Sequence, residues 1–234
     1  MKLLFAFLLF SFSSFAEINV ETHDISFEYG LSYHTLKGEQ KSNGSRGQLV
    51  TNQMPSFLGS YSYRFSNRMA IKFFGGIHII KFDEPKFGNL KNEDQVLNHF
   101  GLEIITKTSP FAKWGFFVRQ QDHPLYFAKT PTDFEIVKLK FVETGVHYSL
   151  GQRRRIGLIW NFGGKAFHVY PAKGGNVATE SGIGGEGYAR LGWIGPWGTV
   201  FTMKGFYQYT TAPNAEVNFT HENLGYAFVV NYTY

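Results

Sequence analysis

The sequence predicts an all-β chain: an up-and-down antiparallel meander of about ten strands that closes into a transmembrane β-barrel, with eight or twelve strands as alternatives. Three observations predict it. Apolar and polar residues alternate with period two in about ten segments. Short and long connections alternate between these segments. Aromatic residues make up 18% of the chain, a level that suits the pleated surface of strands.

Composition excludes several other classes of protein. The 234 residues include no cysteine, which rules out a disulfide scaffold, a cysteine zinc site and a thiol enzyme. Mean hydropathy is −0.19, and no apolar run reaches the ~18 residues of a membrane-spanning helix. The formal net charge is +5, but basic residues are interspersed with acidic ones, so we expect no nucleic-acid partner.

Residues 1–16 have the three parts of a secretory signal peptide. Lys2 supplies the positive start, an apolar stretch follows from Leu3 to Phe12, and Ser14 and Ala16 occupy the small-residue positions of a cleavage site. The apolar stretch is too short to cross a bilayer as a helix. We therefore expect export, with residues 17–234 forming one barrel domain.

The five strands predicted in the first half of the chain each carry apolar residues on one parity and polar residues on the other. This is the pattern of a strand with one apolar face. The segments, each with one apolar residue and its polar neighbour, are residues 23–36 (Phe27, Glu28), 56–66 (Tyr63, Arg64), 69–79 (Ile71, Lys72), 96–107 (Leu102, Glu103) and 114–121 (Val118, Arg119).

The sixth segment, residues 134–150, is less regular. Val137, Leu139 and Phe141 hold one parity, whereas Val146 and the apolar residues after it hold the other. One extra residue in a strand reverses the facing of everything beyond it, so the pattern predicts a β-bulge near Val142.

Four further segments alternate cleanly and complete the meander. Several of the ten segments reach the ~9–11 residues that a tilted strand needs to cross a hydrocarbon core. These last four segments, each given with one apolar residue and an adjacent polar residue, are residues 155–165 (Phe162, Asn161), 183–193 (Leu191, Arg190), 197–209 (Met203, Lys204) and 223–234 (Tyr232, Asn231).

Connections alternate in length along the chain. Tight joins are expected at 67–68, 108–113, 151–154 and 195–196, and long loops at 37–55, 83–95, 124–133, 171–181 and 211–222. The long loops contain the Gly, Asn, Pro and charged residues of solvated turns. All tight joins then lie at one rim and all long loops at the other.

Charges of both signs occupy the polar parity of many strands. In lipid every backbone polar group must be paired, so a sheet crosses a membrane only as a closed barrel, here with apolar residues outward. We expect the charged side chains to form a network inside the lumen. Its predicted members are Glu28, Arg64, Lys72, Glu103, Arg119, Glu143, Arg155, Lys165, Glu186, Arg190 and Lys204.

The alternating strands, the leader, the loop asymmetry and the terminal YAFVVNYTY together resemble a bacterial outer-membrane β-barrel protein. The resemblance implies an outer-membrane location in a Gram-negative cell, contact with lipids including lipopolysaccharide, and a last strand read by the barrel-assembly machinery. The residues that match such a terminal signal are Phe228, Val230, Tyr232 and Tyr234. The alternative is an exported soluble β-barrel or jelly roll, which would have to hold its many aromatic rings inside.

His147 and Ser149 lie two apart on the polar face of the sixth strand and are candidate catalytic residues. The His-x-Ser pair resembles the lipid A deacylase family, in which a glutamate orients the histidine. A serine nucleophile needs a base within hydrogen-bond reach. No acidic residue occurs between Ser149 and Glu180, and Glu143 lies ~13 Å from His147 along an extended strand. The alternative is that His147 is an interior histidine that forms hydrogen bonds and has no catalytic role.

Other histidines suggest sites with weaker patterns. His34, His78 and His99 share the polar parity and could meet in the lumen, but no spacing typical of metal ligands supports a metal site. Asp122 and His123 resemble the aspartate–histidine pair of outer-membrane proteases, whose other acidic motifs are missing. We predict no cofactor and no metal.

The expected function is a structural or narrow pore role for small solutes, with weak ion selectivity. The first alternative is an enzyme acting on lipid A or acyl chains through His147 and Ser149. The second is a surface adhesin or recognition protein acting through its long loops. The pattern favours a non-enzyme and identifies no ligand.

Overall fold

The computed structural model describes residues 22–82, 89–90, 95–128, 133–152, 157–174, 177–195 and 199–233. The predicted signal peptide, Arg155 and Tyr234 lie outside the described residues. The strands are β1 (Thr22–Gln40), β2 (Arg46–Val50), β3 (Met54–Arg64), β4 (Met69–Ile80), β5 (Asn89–Leu90), β6 (Gln95–Lys107), β7 (Ala112–Ala128), β8 (Asp133–Gln152), β9 (Gly157–Val169), β10 (Lys173–Gly174), β11 (Val177–Ala178), β12 (Gly182–Ile194), β13 (Val200–Thr211) and β14 (Val217–Thr233).

Ten of these strands form a closed antiparallel barrel. Neighbours in the chain are neighbours in the ring, and β14 pairs with β1 from Asp24↔Thr233 to Gln40↔Val217, which closes it. The predicted up-and-down barrel of about ten strands is therefore confirmed. The ring consists of β1, β3, β4, β6, β7, β8, β9, β12, β13 and β14. Among the described residues, no helix is long and apolar enough to cross a bilayer.

The two rims of the barrel differ as expected. One rim, here called the short-turn rim, carries the joins at 64–69, 107–112, 152–157 and 194–200. At the opposite, long-loop rim the strands extend further than predicted. β1 continues to Gln40, and β7 runs through Pro124 to Ala128. The predicted loops at 37–55 and 124–133 thus begin inside strands. β2 folds back onto β1 after a turn in which Gly44 has a φ of 70°.

The outward face carries a continuous apolar band. Phe27, Phe228 and Leu224 are more than half exposed, which no folded interior explains. Apolar area on this scale marks contact with lipid or with partner proteins. Aromatic residues on this outward face include Tyr33, Trp114, Tyr148, Trp193, Tyr207 and Tyr209.

The predicted bulge near Val142 is wrong. β7 and β8 keep one unbroken register from Ala112↔Leu150 to Ala128↔Phe134. Leu139 and Phe141 face inward and are buried, although inward positions nearer the short-turn rim are polar. The apolar residues change parity along β8 because the surroundings of the strand change. Toward the long-loop rim the lumen is apolar and the outside of the barrel is polar.

Two buried apolar clusters fill the lumen near the long-loop rim, and together they are called the plug. The larger one joins β7, β8, β9 and β14, and the smaller one joins β1, β2, β4 and β6. Their buried members are Phe117, Leu125, Leu139, Phe141, Phe167, Val169, Ala212 and Phe219 in the first, and Leu36, Leu49, Ile80, Phe82 and Leu97 in the second.

Candidate functional site

The structure places ten of the eleven predicted network residues on inward-facing positions of the ring, and Arg155 lies outside the described residues. Arg119 Nε donates to Glu143 at 2.5 Å, and its Nη1 lies 3.7 Å from Glu186. Lys165 Nζ donates to Glu186 at 2.8 Å. These pairs join β7, β8, β9 and β12 in one buried chain of charges.

A second group of ion pairs crosses the junction where the barrel closes. Lys204 Nζ on β13 donates to Glu28 on β1 at 3.1 Å, and Arg190 Nη2 lies 4.0 Å from the same carboxylate. Arg64 pairs with Asp24 at 3.6 Å near the short-turn rim. No described carboxylate oxygen lies within 4 Å of Lys72 Nζ, although Lys72 and Glu103 are register partners on β4 and β6.

A row of buried histidines crosses the lumen beneath the plug. His123 Nε2 donates to Glu143 at 2.8 Å, since the carboxylate can only accept. In the neutral ring, His123 Nδ1 then accepts from His221 at 3.2 Å, and His221 Nε2 accepts from His34 Nδ1 at 3.0 Å. His34 Nε2 accepts in turn from Ser32 Oγ at 3.0 Å. This network is called the histidine layer.

The histidine layer connects opposite walls of the lumen. His123 lies on β7 and His221 on β14, which are not neighbours in the ring, so their hydrogen bond joins opposite walls. Phe219 of β14 packs against the β7 and β8 side of the plug directly above it. Side chains from opposite walls of the barrel therefore touch at this level.

Below the histidine layer lies a cavity of about 650 Å³ that reaches the short-turn rim, where Asn67 and Pro110 line it. Its upper end is lined by His78, His99 and Gln121. Nine basic side chains line it against four acidic ones, Asp24, Glu28, Glu103 and Glu186. The basic ones are Arg64, Arg68, Lys72, Lys107, Lys113, Arg119, Lys165, Arg190 and Lys204.

Several polar atoms of the cavity wall have no protein partner within the described part of the chain. They are Arg119 Nη2, Arg190 Nε, Thr202 Oγ1 and Asn223 Oδ1. Arg119, Thr202 and Asn223 are each more than nine-tenths buried. Buried polar atoms without partners are costly unless water or a ligand satisfies them.

His147 lies in this cavity between two partners from other strands. Its Nδ1 donates to Glu103 of β6 at 2.5 Å, and its Nε2 accepts from the Tyr188 hydroxyl of β12 at 2.7 Å. Ser149 makes no hydrogen bond to His147 among the described residues; it lies near Tyr188, since Gly163 is the register partner of both. The expected His147–Ser149 contact is therefore replaced by a hydrogen-bonded chain of three groups, here called the relay: Glu103, His147 and Tyr188.

Sequence reasoning missed both partners of His147. Glu103 and Tyr188 are 44 and 41 residues away from it in the chain, and the nearest acid on its own strand, Glu143, binds His123 and Arg119 instead. No local spacing could have found them, because barrel closure brings their strands around one lumen. Their inward parity was the available signal.

The other candidate sites are resolved by geometry. The three histidines do approach one another: the ring centroid of His78 lies 5.8 Å from that of His34 and 5.2 Å from that of His99. However, no three acidic or imidazole groups among the described residues are placed to hold one metal ion. Asp122 accepts from Asn98 backbone N and Nδ2, both at 3.0 Å, whereas His123 binds Glu143, so they do not act as a pair. Phe228, Val230 and Tyr232 face outward.

No family model and no curated protein matches the sequence. Among solved structures, the chain is similar to the outer-membrane protease OmpT from Escherichia coli, with TM-score 0.53 and 12% identity over 94% of this chain and 98% of that one. The NalP translocator domain from Neisseria meningitidis (TM-score 0.39, 9% identity, 97% and 95% covered) and Ail from Yersinia pestis (0.32, 12%, 89% and 97%) also match.

The chain has the fold of bacterial outer-membrane β-barrels. At 12% identity the likeness to OmpT reaches the fold alone. Function has to be argued from the lumen, where geometry and charge are specific to this chain.

Proposed function

We propose that this chain is an exported outer-membrane barrel whose lumen is an anion-binding vestibule, open to the periplasm and closed toward the cell surface. Short turns face the periplasm in barrels of this fold, which orients the cavity mouth. The apolar band would contact membrane lipids including lipopolysaccharide, and Phe228, Val230, Tyr232 and Tyr234 would serve the barrel-assembly machinery.

One observation carries the proposal: a cavity with nine basic and four acidic side chains ends at walls that touch through His123 and His221. A confined cavity with an excess of one sign of charge concentrates ions of the opposite sign. Arg190 Nε and Arg119 Nη2 supply donors with no described partner, and an anion would satisfy them. A narrow pore role then requires that the histidine layer and the plug open.

The absence of cysteine allows a direct test by thiol labelling of the full mature chain in vesicles. Ser60 on β3 lines the cavity, whereas Ser32 on β1 lies in the histidine layer and is fully buried. We expect S60C to react with an anionic methanethiosulfonate about tenfold or more faster than with a cationic one of similar size, as the cavity charge dictates. High salt should reduce that ratio.

S32C is the matched control, a serine-to-cysteine change on the closed side of the cavity. It should stay unlabelled while the barrel is folded and react after unfolding. If S60C were labelled at equal rates by the anionic and the cationic reagent, the proposed anion preference of the cavity would be contradicted. Labelling of folded S32C as fast as S60C would show an open channel and overturn the closed state.

A further inference from the structure

We propose that the relay is a phosphotransfer site, in which Tyr188 is the nucleophile, His147 the base and Glu103 the group that orients His147, acting on phosphate monoesters that enter the vestibule. The inference rests on the proposed function in one respect, since the substrate reaches the site as an anion. It does not rest on Ser149 as nucleophile.

The order of protons in the relay follows from the chemistry of its members. The Glu103 carboxylate only accepts, so His147 Nδ1 carries the proton of the 2.5 Å bond. Neutral His147 Nε2 is then an acceptor, and the Tyr188 hydroxyl donates to it at 2.7 Å. An oriented base within hydrogen-bond reach of a hydroxyl is the arrangement that activates a nucleophile.

Two inward-facing glycines make the relay possible. Gly163 on β9 is the register partner of both Ser149 and Tyr188, and a Cβ there would lie 2.4 Å from the Tyr188 hydroxyl oxygen. Gly115 on β7 is the partner of His147, and a Cβ there would lie 2.3 Å from Glu103 Oε1. In each case a side chain crosses an intervening strand over a glycine to reach β8.

The surroundings favour phosphoryl rather than acyl transfer. Acyl transfer needs free donors for a carbonyl oxyanion, often backbone N–H groups, and in this sheet those groups are paired in the strand ladders. Phosphoryl transfer relies on basic side chains around the phosphate oxygens. Arg190 Cζ lies 5.2 Å and Lys204 Nζ 5.9 Å from the centre of the Tyr188 ring, and Lys72 is the register partner of Glu103.

The reaction balances with water as the co-reactant. Tyr188 Oη attacks phosphorus while its proton passes to His147 Nε2, the bond from phosphorus to the alcohol oxygen breaks, and the alcohol leaves with that proton. Water then attacks the phosphotyrosine and gives a proton to His147, the bond from phosphorus to Oη breaks, and Oη takes the proton back. The products are the alcohol and inorganic phosphate.

The test uses the full mature chain refolded in detergent, with p-nitrophenyl phosphate as substrate. We expect turnover, and an acid-quenched phosphoprotein that Y188F lacks entirely. H147G should lose about 10²-fold or more in rate, and added imidazole should restore part of it, because a free base can occupy the vacated space. S149A should keep activity within about tenfold, since Ser149 is not part of the relay.

Every variant is first checked for the mobility shift between boiled and unboiled samples, so that a misfolded barrel is not scored. Loss of activity in S149A together with hydrolysis of p-nitrophenyl butyrate would indicate acyl chemistry and overturn the assignment. No turnover by folded wild type, or full activity of Y188F, would also overturn it. Calorimetric binding of inorganic phosphate without turnover would leave the vestibule standing and remove only the phosphotransfer site.

Discussion

At the residue scale, the lumen is organised as much by missing side chains as by charged ones. Gly115 and Gly163 face inward at positions where a Cβ would collide with Glu103 and Tyr188. Gly187, next to Tyr188 in the chain, has no atom within 4 Å of such a Cβ. Glycines in a strand otherwise weaken it, so the inward pair marks close approach.

Gly163→Ala should destabilise the barrel and disturb the relay, because the new methyl group has to displace the Tyr188 ring. We expect a loss of about 1–3 kcal/mol in the free energy of unfolding, the usual cost of overpacking. Urea titration in vesicles measures it. Gly187→Ala is the control and should be neutral or slightly stabilising; an equal loss in both variants would contradict the collision.

Arg119→Met should cost about 3–5 kcal/mol in the free energy of unfolding, because it leaves Glu143 and Glu186 buried with less positive charge beside them. Arg46→Met removes a partner from an exposed ion pair with Glu39, where the Arg46 side chain is 78% exposed. Such pairs contribute about 0–1 kcal/mol. Tryptophan fluorescence during urea titration compares the two, and similar losses would show that burial of the Arg119 pair is unimportant.

At the scale of elements, the tall hairpin of β7 and β8 decides whether the lumen is open. On β8 the inward residues His147 and Ser149 line the charged cavity, Glu143 binds the histidine layer, and Leu139 and Phe141 belong to the plug, so one strand contributes to all three. The alternation predicted this strand, but it could not tell that the inward face would become apolar. Periodicity reports which residues share a face, and the fold decides what that face meets.

Opening both layers should produce a conducting barrel. We expect the wild-type chain to show almost no steady conductance in planar bilayers, and F141A/H221A to conduct with anion preference, because these changes remove one plug residue and the cross-lumen bond. V142A/E222A changes the next residue in each strand, which does not face the lumen, and should stay closed. A conducting wild type, or cation preference in F141A/H221A, would contradict the closed, anion-binding vestibule.

At the scale of the whole molecule, the apolar band should set the energy of insertion. Phe228 lies midway along the outward apolar residues of β14, whereas Tyr232 lies near the short-turn rim. Arginine at the bilayer midplane costs about 2–4 kcal/mol and near an interface about 0–1 kcal/mol. F228R should therefore lose more unfolding free energy than Y232R in vesicles. Equal small losses in both would indicate that the band does not face lipid.

The sequence alone determined the ten ring strands, the facing of most of their residues and their up-and-down order. Alternation and turn residues are local properties, because successive side chains of a strand point to opposite faces whatever lies beyond. They were enough to place Glu103, His147 and Lys204 on the lumen side, although not to say which groups they touch.

Only the tertiary structure decided the partners and the closure. His34 meets His221 across 187 positions of sequence, and Glu103 reaches His147 over a glycine of the strand between them. Such contacts depend on the register and closure of all ten strands, which no local pattern encodes. The same closure brings β14 against β7, and this contact separates a sealed vestibule from an open pore.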